Sequence, residues 1–378
     1  MSSARDQDTA RGAAVCSRLG EVRRRRALSA ATLARQAGIS RQTVYAMEAG
    51  SYVPNTAVAL RLSRILEVPV EELFHLEEPA PESAASVKAH VIGSSELARG
   101  IPVELCRVAG KLVGVPAIPA PWQLLPADGI LEDTHGSLVQ LVAGEPAEHR
   151  LLIAGCDPSM GLLARRLARA GVGLVAAAVN SSLALRLLKD KMAHVAGTHL
   201  PGRPRLPKSG ASVFTFAVWE EGLITARGNP RGIRSVADLA RPGIAFANRE
   251  SGSGSRQLAD RLLAEAGVSA SSIAGYDAAP ARGHVPAAWR VYSGAADCCI
   301  ATRSAALAFG LDFQPLTSER YDLVIPAESL ELPAVGRLMD ALSQASFRRE
   351  LEGLCGYDTR ETGKRRERQP PSSRHNEA

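Results

Sequence analysis

The sequence predicts a multidomain protein, with a small all-α bundle at the N-terminus and a larger α/β domain at the C-terminus. Three observations support this prediction. The chain has 378 residues, more than one compact domain usually holds. Residues 28–66 carry the start and stop signals of several short helices. From about residue 149 onwards, apolar runs typical of buried strands alternate with amphipathic helical segments, and this alternation is typical of a sheet covered by helices.

Residues 28–66 predict short helices in close succession. The first begins after Ser29 and ends at Gly38, the second begins after Ser40 and closes at Gly50, and another opens near Asn55–Thr56. Ser and Asn are common helix caps, and Gly commonly ends a helix. The apolar positions fit one small core, which we predict to contain Leu33, Ala34, Ala37, Ile39, Val44, Met47, Leu60, Leu62, Ile65 and Leu66.

The second of these helices carries the residues expected to contact DNA. Arg41, Gln42, Thr43 and Tyr45 point outward from it, and they are types that reach base edges and phosphates in a major groove. Residues 18–64 hold nine arginines and two glutamates, a net charge of +7, while the whole chain carries only +6. The positive charge is therefore concentrated where a phosphate backbone would be met.

Residues 15–75 resemble the phage-repressor (Xre/Cro-type) helix-turn-helix family. The resemblance implies that Arg41, Gln42 and Thr43 read bases. It also implies that Arg23 and Glu48 form a structural pair between the family's first helix, which precedes Ser29, and its third helix, which follows Ser40. We also place Ser40, Tyr45 and Asn55 in the predicted DNA interface. Family members commonly have a phosphate-anchoring Gln where this chain has Ala30, so that contact is not expected here. The alternative is a helical bundle that binds protein, and the charge argues against it.

Composition excludes some other classes of protein. No apolar run reaches the ~18 residues that cross a bilayer, and residues 1–14 lack the apolar core of a signal peptide. A cytoplasmic protein is therefore expected. The six cysteines form no CxxC pair and have no histidine at zinc-finger spacing, so we expect reduced, mostly buried thiols and no metal site. Consecutive Cys298 and Cys299 would point to opposite faces of a strand. No cofactor is predicted.

Shifts in composition divide the chain into segments. The predicted segments are a disordered N-terminus at 1–14, the helix-turn-helix domain at 15–76, an acidic Pro/Ala/Ser-rich linker at 77–100, a small β-rich segment at 101–148, the α/β effector domain at 149–363, and a disordered basic tail at 364–378.

In the α/β domain, the alternation of apolar runs with helical segments predicts a mostly parallel sheet with helices on both faces. Strands are predicted at 151–156, 172–179, 194–197, 243–248 and 297–302, with a strand-rich crossover at 214–229. One helix is expected with Asp157 as its N-cap and Pro158 at its first position. Others are expected to be opened by Ser181 and Ser182 and to lie within 249–267, and the last at 333–355. In such sheets ligands lie at the carboxyl ends of strands beside helix N-termini. Small and polar residues are concentrated at those positions, in 155–159, 180–182, 197–199, 226–229 and 248–256.

The α/β domain is similar to the type II periplasmic binding protein fold used as a cytoplasmic sensor. The similarity lies in AGCDPSMGLL, NSSLALRLLKDKMAHVAGTHL, VWEEGLITARGNP, FANRESGSGSRQLAD, LAFGLDFQPLTSERYDLVIP and FRRELEGLCGYD, which together cover roughly 150–360. It implies two α/β lobes that are joined by a hinge and close on a small ligand. In molybdenum-linked relatives the implied ligand is an oxyanion such as molybdate or tungstate, or a related cofactor species.

The loop 248–256 is the predicted anion-binding wall. It combines a helix start with hydroxyls, backbone N–H groups and two arginines. The predicted ligand contacts in it are Arg249, Ser251, Ser253, Gly254, Ser255 and Arg256. An ordinary Gly/Ser loop that caps a helix is the alternative.

Further candidates lie in other loops of the same domain. Ser181 and Ser182 would donate hydroxyls or only cap a helix, and Tyr321 would contact the ligand or pack in the core. His199 and His284 would contact the ligand or be structural. Asp157 opposes an anion unless its carboxylate turns to its own helix.

The sequence favours a regulator over an enzyme. It has no GxSxG elbow, no HExxH and no carboxylate pair whose spacing indicates acid–base catalysis. Cys156 lies at a strand end and is interpreted as a buried thiol. We predict a one-component regulator that binds operator DNA as a homodimer and senses a small effector. The alternatives are a molybdenum-cofactor biosynthesis protein with a regulatory module and a ligand-independent dimeric repressor.

Overall fold

The computed structural model describes residues 15–76, 85–93, 97–117, 125–133, 138–142, 148–199 and 210–366. The chain divides into two compact units, residues 1–84 and 85–378. The predicted disorder of residues 1–14 lies outside the described residues.

The first unit is an all-α bundle closed by one short β-ribbon. Its helices are α1 Leu19–Arg25, α2 Ala30–Ala37, α3 Arg41–Glu48, α4 Thr56–Leu66 and α5 Val70–Leu73. Strands β1 Val15–Ser17 and β2 Phe74–Leu76 pair antiparallel and were not predicted. The predicted signals are confirmed: Ser29, Ser40 and Asn55 cap α2, α3 and α4, and Gly38 ends α2 in the left-handed region.

The core of the bundle follows the predicted pattern with one error. Leu33, Val44 and Met47 are fully buried, but Leu60 is 49% exposed. Helix α4 buries the face that carries Val58, Ala59, Leu62 and Leu66, and Leu60 lies off this stripe. The predicted pair between α1 and α3 is confirmed, because Arg23 Nε donates to Glu48 Oε1 at 2.6 Å.

The second unit contains a small sheet and a large sheet. The small sheet has the order β3-β8-β7-β5-β6-β4, and its strands are β3 Ser86–Lys88, β4 His90–Val91, β5 Pro102–Val108, β6 Lys111–Pro116, β7 Gly129–Asp133 and β8 Leu138–Leu141. Strands β3 and β4 lie inside the segment predicted as a linker.

The small sheet packs on the large one. Val108, Val113 and Ile92 share an apolar cluster with Leu152 and Val175 of the large sheet. Arg150 binds both the carboxylate of Asp128 and the carbonyl of Leu105. The small sheet and the α/β domain therefore share part of one core.

The large sheet carries the predicted strands and two long ones. Its main path has the order β10-β9-β11-β15-β12-β14-β13, and β16 pairs with β12. The strands are β9 Arg150–Gly155, β10 Gly173–Ala178, β11 Val195–Thr198, β12 Ala211–Thr225, β13 Phe246–Ala247, β14 Cys298–Thr302, β15 Asp312–Pro326 and β16 Tyr357–Asp358. The sheet is mixed, so the expectation of a mostly parallel sheet is wrong: β12 and β15 run antiparallel to their neighbours, and to each other over almost their whole length.

Helices cover both faces of this sheet and define two lobes. They are α6 Met160–Ala168, α7 Ser181–Lys189, α8 Gly254–Glu265, α9 His284–Tyr292, α10 Arg303–Ala308, α11 Ala327–Leu330, α12 Pro333–Ser343 and α13 Ala345–Glu352. In the first lobe, β9–β11 lie between α7 on one face and α6, α12 and α13 on the other. In the second lobe, β13 and β14 lie between α8 and α9. The strands β12 and β15 run through both lobes.

The structure bears on three local predictions, namely the start of α6, the placement of Cys298 and Cys299, and the disorder of the C-terminal tail. Helix α6 begins at Met160, with Ser159 as its N-cap, rather than at Pro158. The Asp157 carboxylate accepts from Ser159 N just before the helix. Cys298 and Cys299 do join different apolar clusters. The start of the predicted disordered tail is ordered, since Arg366 N donates to Val213 O at 2.8 Å, while 367–378 lie outside the described residues.

Candidate DNA-reading helix and interlobe cleft

Helix α3 presents the polar surface that the sequence predicts for base contact. Arg41 and Gln42 are exposed at its start, and Tyr45 is 45% exposed one turn later. The Arg41 guanidinium donates to Tyr45 Oη at 2.9 Å and lies over the Tyr45 ring. These contacts hold two long side chains in one orientation, which reduces the side-chain entropy lost when such residues bind a ligand.

Ser40, Thr43 and Asn55 have structural partners in the bundle. Ser40 Oγ accepts from Thr43 N at 3.0 Å, and its hydroxyl also bonds the Thr43 hydroxyl. Asn55 Oδ1 accepts from Val58 N at 3.0 Å. Ser40 and Asn55 precede the first turns of α3 and α4, and helix N-termini at a surface commonly bind phosphate.

The interlobe cleft is formed where loops of the first lobe meet the helix starts of the second. Asn180 Nδ2 donates to Ser251 O at 3.3 Å, and Ser182 N donates to Gly252 O at 3.4 Å. His199 follows strand β11 and lies against Gly254 at the start of α8, where an added Cβ would come within 2.4 Å of the imidazole. Gly254 is therefore needed for the close approach of His199.

Buried polar side chains are gathered around this contact. His199 Nδ1 lies 2.6 Å from Glu319 Oε2 and 4.0 Å from Glu221 Oε2, and His284 Nδ1 lies 3.6 Å from Glu221 Oε1. His284 Nε2 lies 3.7 Å from Cys156 Sγ. The two histidines and Glu221 are fully buried side chains. Glu221 occupies an irregularity in the β12–β15 pairing, and such bulges re-aim side chains.

Aromatic rings close the cluster on one side. The Trp219 ring lies 5.1 Å from His199, 5.2 Å from His284 and 4.8 Å from Tyr321. Trp219 and Tyr321 are almost completely buried. The Tyr321 ring lies over Gly155 of β9 and Gly197 of β11. A Cβ atom at either glycine would collide with its hydroxyl.

Burial and proximity shift the protonation of these groups in opposite directions. Burial, reinforced by Glu319, raises the pKa of Glu221 to about 8. Burial, with Arg249 and His199 nearby, holds the pKa of His284 well below its usual value. Burial also opposes protonation of His199, but Cys156, Glu319 and Glu221 outweigh it and hold its pKa well above its usual value. These shifts in pKa favour the protonated form of Glu221, the neutral form of His284 and the charged form of His199 beside Glu319.

Several of these polar atoms have no hydrogen-bond partner. Among the described residues, the buried side-chain atoms without a partner include Asp157 Oδ2, His199 Nε2, Trp219 Nε1, Glu221 Oε2, His284 Nδ1 and Tyr321 Oη. A buried polar atom without a partner costs about 1–3 kcal/mol. Six such atoms in one neighbourhood make it a candidate site for a further group.

The predicted loop 248–256 forms one wall of this cleft. Ser253 caps α8 and accepts from Arg256 N. Ser255 Oγ donates to Glu221, and it accepts from Arg249 Nη1 at 3.3 Å. Arg249 is 1% exposed and also binds Glu250 and the carbonyl of Ala281. Arg249, Ser255 and Gly254 thus touch the buried cluster.

Arg256 and Ser251 lie on the outer side of the same loop. The Arg256 guanidinium binds Asp277 at 2.8 Å and Asp260 at 3.2 Å, and it stacks on Tyr276. Ser251 is exposed. The role of Arg256 in ligand binding stays a prediction, and its protein contacts give it a role in holding the loop.

Ser181, Ser182 and Tyr321 complete the predicted set. Ser181 is buried, and its Oγ accepts from His199 N at 3.2 Å. Ser182 is partly exposed next to Gly252. Helix α7 is capped by Asn180, not by either serine. Ser181 and Tyr321 therefore lie beside the buried cluster, and Ser182 lies at its edge.

Sequence reasoning missed the partners of the two histidines. Glu221, Glu319 and Trp219 drew no prediction, because they lie on long strands away from the glycine-rich loops. The signal was present in the charged pair within VWEEGL, since a carboxylate in an otherwise apolar strand requires a buried partner.

Comparisons with known proteins agree with this architecture. The family described as PBP superfamily domain matches residues 164–343, and a helix-turn-helix domain family matches residues 16–76. YvgK of Bacillus subtilis (strain 168), an uncharacterized protein, is 37% identical over 143 residues, which are 38% of this chain and 46% of YvgK. The chain thus spans about half the length of that relative.

Two further similarities cover one domain each. The uncharacterized HTH-type transcriptional regulator YgzD of Bacillus subtilis (strain 168) is 40% identical over 58 residues, 15% of this chain and 88% of YgzD. The sulfate-binding protein SubI from Mycobacterium tuberculosis H37Rv superposes with a TM-score of 0.41 at 17% identity, over 55% of this chain and 85% of that one.

The descriptions of the two matched families name a helix-turn-helix domain and a PBP superfamily domain, and neither names a catalytic activity. In the part of the chain that the structure describes, no helix combines the length and apolar character of a membrane span. The chain belongs to the helix-turn-helix proteins through residues 16–76 and carries a PBP-like domain behind them.

Proposed function

We propose that the protein is a cytoplasmic one-component transcriptional regulator of the Xre/Cro type. Helix α3 reads operator DNA, and the interlobe cleft binds a small effector that changes the affinity for that DNA. The fusion of a helix-turn-helix domain to a PBP-like domain supports a DNA-binding regulator with a ligand-sensing domain. We further propose that it acts as a homodimer on an inverted repeat with half-sites one helical turn apart, ~10 bp, or a multiple of this.

The observation that carries the proposal is the set of unpartnered buried atoms in the cleft. Trp219 Nε1 can only donate, and the hydroxyl of Tyr321 can also donate. A ligand with several acceptor oxygens would satisfy these donors together. Without a ligand they remain buried and unpaired, at a cost to stability that a regulator recovers only on binding.

The same chemistry favours an oxyanion such as molybdate or tungstate as the effector. The N-termini of α7 and α8 meet at the cleft, and helix N-termini favour negative charge. The carboxylates do not prevent this, because the pKa of Glu221 is raised to about 8 and Glu319 is paired with His199. The predicted obstacle at Asp157 is also reduced, since its carboxylate turns back to Ser159.

Coupling to DNA requires that the effector bind two arrangements of the protein with different affinity. The groups that meet at the cleft belong to both lobes, so a ligand there favours the closed arrangement. We propose that closure changes how the two DNA-reading helices of a dimer match their half-sites.

The test is a thermal unfolding scan of the full chain with molybdate, tungstate, sulfate and phosphate in turn. An effector at 100 times its dissociation constant should add ~2.7 kcal/mol of stability. Trp219→Phe keeps the ring and removes one donor, so it should weaken the binding of that anion by about tenfold. Trp289→Phe, on α9 and outside the cluster, is the matched control and should bind as the wild type does.

The DNA arm uses sequences selected from a random duplex pool by the full chain. The selected sites should be inverted repeats, and the stabilising anion should change the affinity for them. If no anion stabilises the protein, the oxyanion proposal fails. If an anion binds but leaves DNA affinity unchanged, the sensor proposal fails and a ligand-independent repressor is favoured.

A further inference from the structure

Cys156, His199 and His284 are brought together in the cleft although they are distant in sequence. Cys156 and His284 are 128 residues apart. One ligand atom of each of the three residues lies within 4.8 Å of the other two, and all three residues are buried. A thiolate with two imidazoles is a ligand set that zinc and other borderline-soft divalent ions prefer.

The second nitrogen of each imidazole faces a carboxylate. Glu319 Oε2 lies 2.6 Å from Nδ1 of His199, which leaves Nε2 of His199 as the nitrogen without a partner. In His284, Nε2 lies 3.7 Å from Cys156 Sγ, and Nδ1 lies 3.6 Å from Glu221 Oε1, near this carboxylate but without a hydrogen bond to it. Metal-ligating histidines almost always donate their other N–H to a carboxylate or carbonyl, and this contact fixes the tautomer and orients the ring.

We propose that Cys156, His199 and His284 bind a divalent transition-metal ion, with Zn²⁺ as the best match, and that Glu319 and Glu221 orient the two imidazoles. The ion takes Cys156 Sγ and the Nε2 atoms of both histidines. Three protein ligands leave one position of a tetrahedral ion open, as in zinc sites that bind a further molecule. The sequence predicted no metal site because the three ligands lie in separate segments of the chain.

This inference rests on the proposed function and extends it to the way an anionic effector is held. The arginines nearest the cleft are engaged by carboxylates, Arg249 by Glu250 and Arg256 by Asp260 and Asp277. They therefore offer an anion little free positive charge. A divalent ion beside Trp219 and Tyr321 supplies that charge, and an effector oxygen would occupy its open position.

The experiment is a titration of the full chain, stripped with a chelator, with Co²⁺ as a spectroscopic substitute for Zn²⁺. The wild type should bind one Co²⁺ per chain and show a thiolate-to-cobalt charge-transfer band, which Zn²⁺ should abolish by competition. Cys156→Ser should lose the band. Cys355→Ser removes an exposed thiol outside the cluster and should keep it.

Glu319→Gln tests the orienting role without removing a ligand. It should keep the charge-transfer band at saturation but weaken Co²⁺ binding by ~10–100-fold. If Cys156→Ser does not fold, as judged by circular dichroism, the Co²⁺ affinity of Glu319→Gln still tests the metal site. A wild type without the band, a band that survives in folded Cys156→Ser, or unchanged affinity in Glu319→Gln would each overturn the proposal.

Adding the anions to the apo and Zn²⁺-loaded protein separates this inference from the proposed function. Anion binding that requires Zn²⁺ supports both. Anion binding by the apo protein in the absence of the cobalt band overturns the metal site and leaves the sensor intact. A cobalt band without any anion binding or effect on DNA leaves the metal site and overturns the oxyanion sensor.

Discussion

A methyl group added at Gly197 should disrupt the cleft by displacing the side chain of Tyr321. Gly197 lies in β11, and its added Cβ would come within 1.9 Å of Tyr321 Oη and 2.4 Å of Tyr321 Cζ. The phenol has little room to move away, since Tyr321 is 0% exposed and packs 4.8 Å from Trp219 and 5.9 Å from Phe216 between ring centres. Overpacking of this kind typically costs about 1–3 kcal/mol.

The assay is thermal unfolding of Gly197→Ala together with its affinity for the effector. Because 1 kcal/mol shifts the unfolding temperature of a domain of 150–250 residues by roughly 2–4 °C, a decrease of roughly 2–12 °C is expected. Effector affinity should fall as well, since Tyr321 and Trp219 shift together.

Two further variants isolate the cause. Gly161→Ala in α6 meets nothing within 4 Å and should leave the unfolding temperature unchanged or slightly raised. Adding Tyr321→Phe to Gly197→Ala removes the closest contact and should restore part of the lost stability. If Gly197→Ala unfolds and binds as the wild type does, the close packing of Tyr321 against β11 is refuted.

Three other predictions concern separate parts of the chain. Gln42→Ala should cost ~1–3 kcal/mol on the selected DNA site and relax preference at one base pair; binding assays on single-base variants that show an equal loss on all sequences would make Gln42 a phosphate contact. Glu48→Gln leaves the charge of Arg23, whose side chain is 12% exposed, unbalanced and should destabilise the first unit by ~3–5 kcal/mol in denaturant titrations, whereas a loss below about 1 kcal/mol would mark the pair as solvent-screened. Burial raises the pKa of the Cys106 thiol to about 12, so at pH 8 it should react with a thiol reagent only after unfolding, unlike exposed Cys355; rapid labelling of Cys106 in the native protein would contradict its burial.

Local signals in the sequence determined helices α2, α3 and α4 of the first unit. The caps at Ser29, Ser40 and Asn55 and the left-handed Gly38 act within one helical turn, so their effect does not depend on distant residues. The outward face of α3 followed from the same periodicity. Leu60 was misplaced because α4 has more apolar positions than its buried stripe needs.

The sequence also indicated the strand ends and helix starts of the α/β domain, and hence the loop that carries Arg249, Ser253 and Ser255. It did not reveal strand β15. That strand includes Pro315 and several polar residues, and it is stabilised by pairing with β12 over almost its whole length rather than by an alternating pattern of its own.

Only the tertiary structure decided which side chains share the cleft. Cys156, His199 and His284 follow or precede different strands and helices, and Glu221 and Glu319 reach them from the two long strands that cross both lobes. Each residue alone is compatible with a capped helix end or a buried core position. Their chemistry depends on distances of a few ångströms between segments that, for Cys156–His284 and His199–Glu319, are more than a hundred residues apart. Such distances are fixed by strand order and packing, which local sequence patterns do not encode.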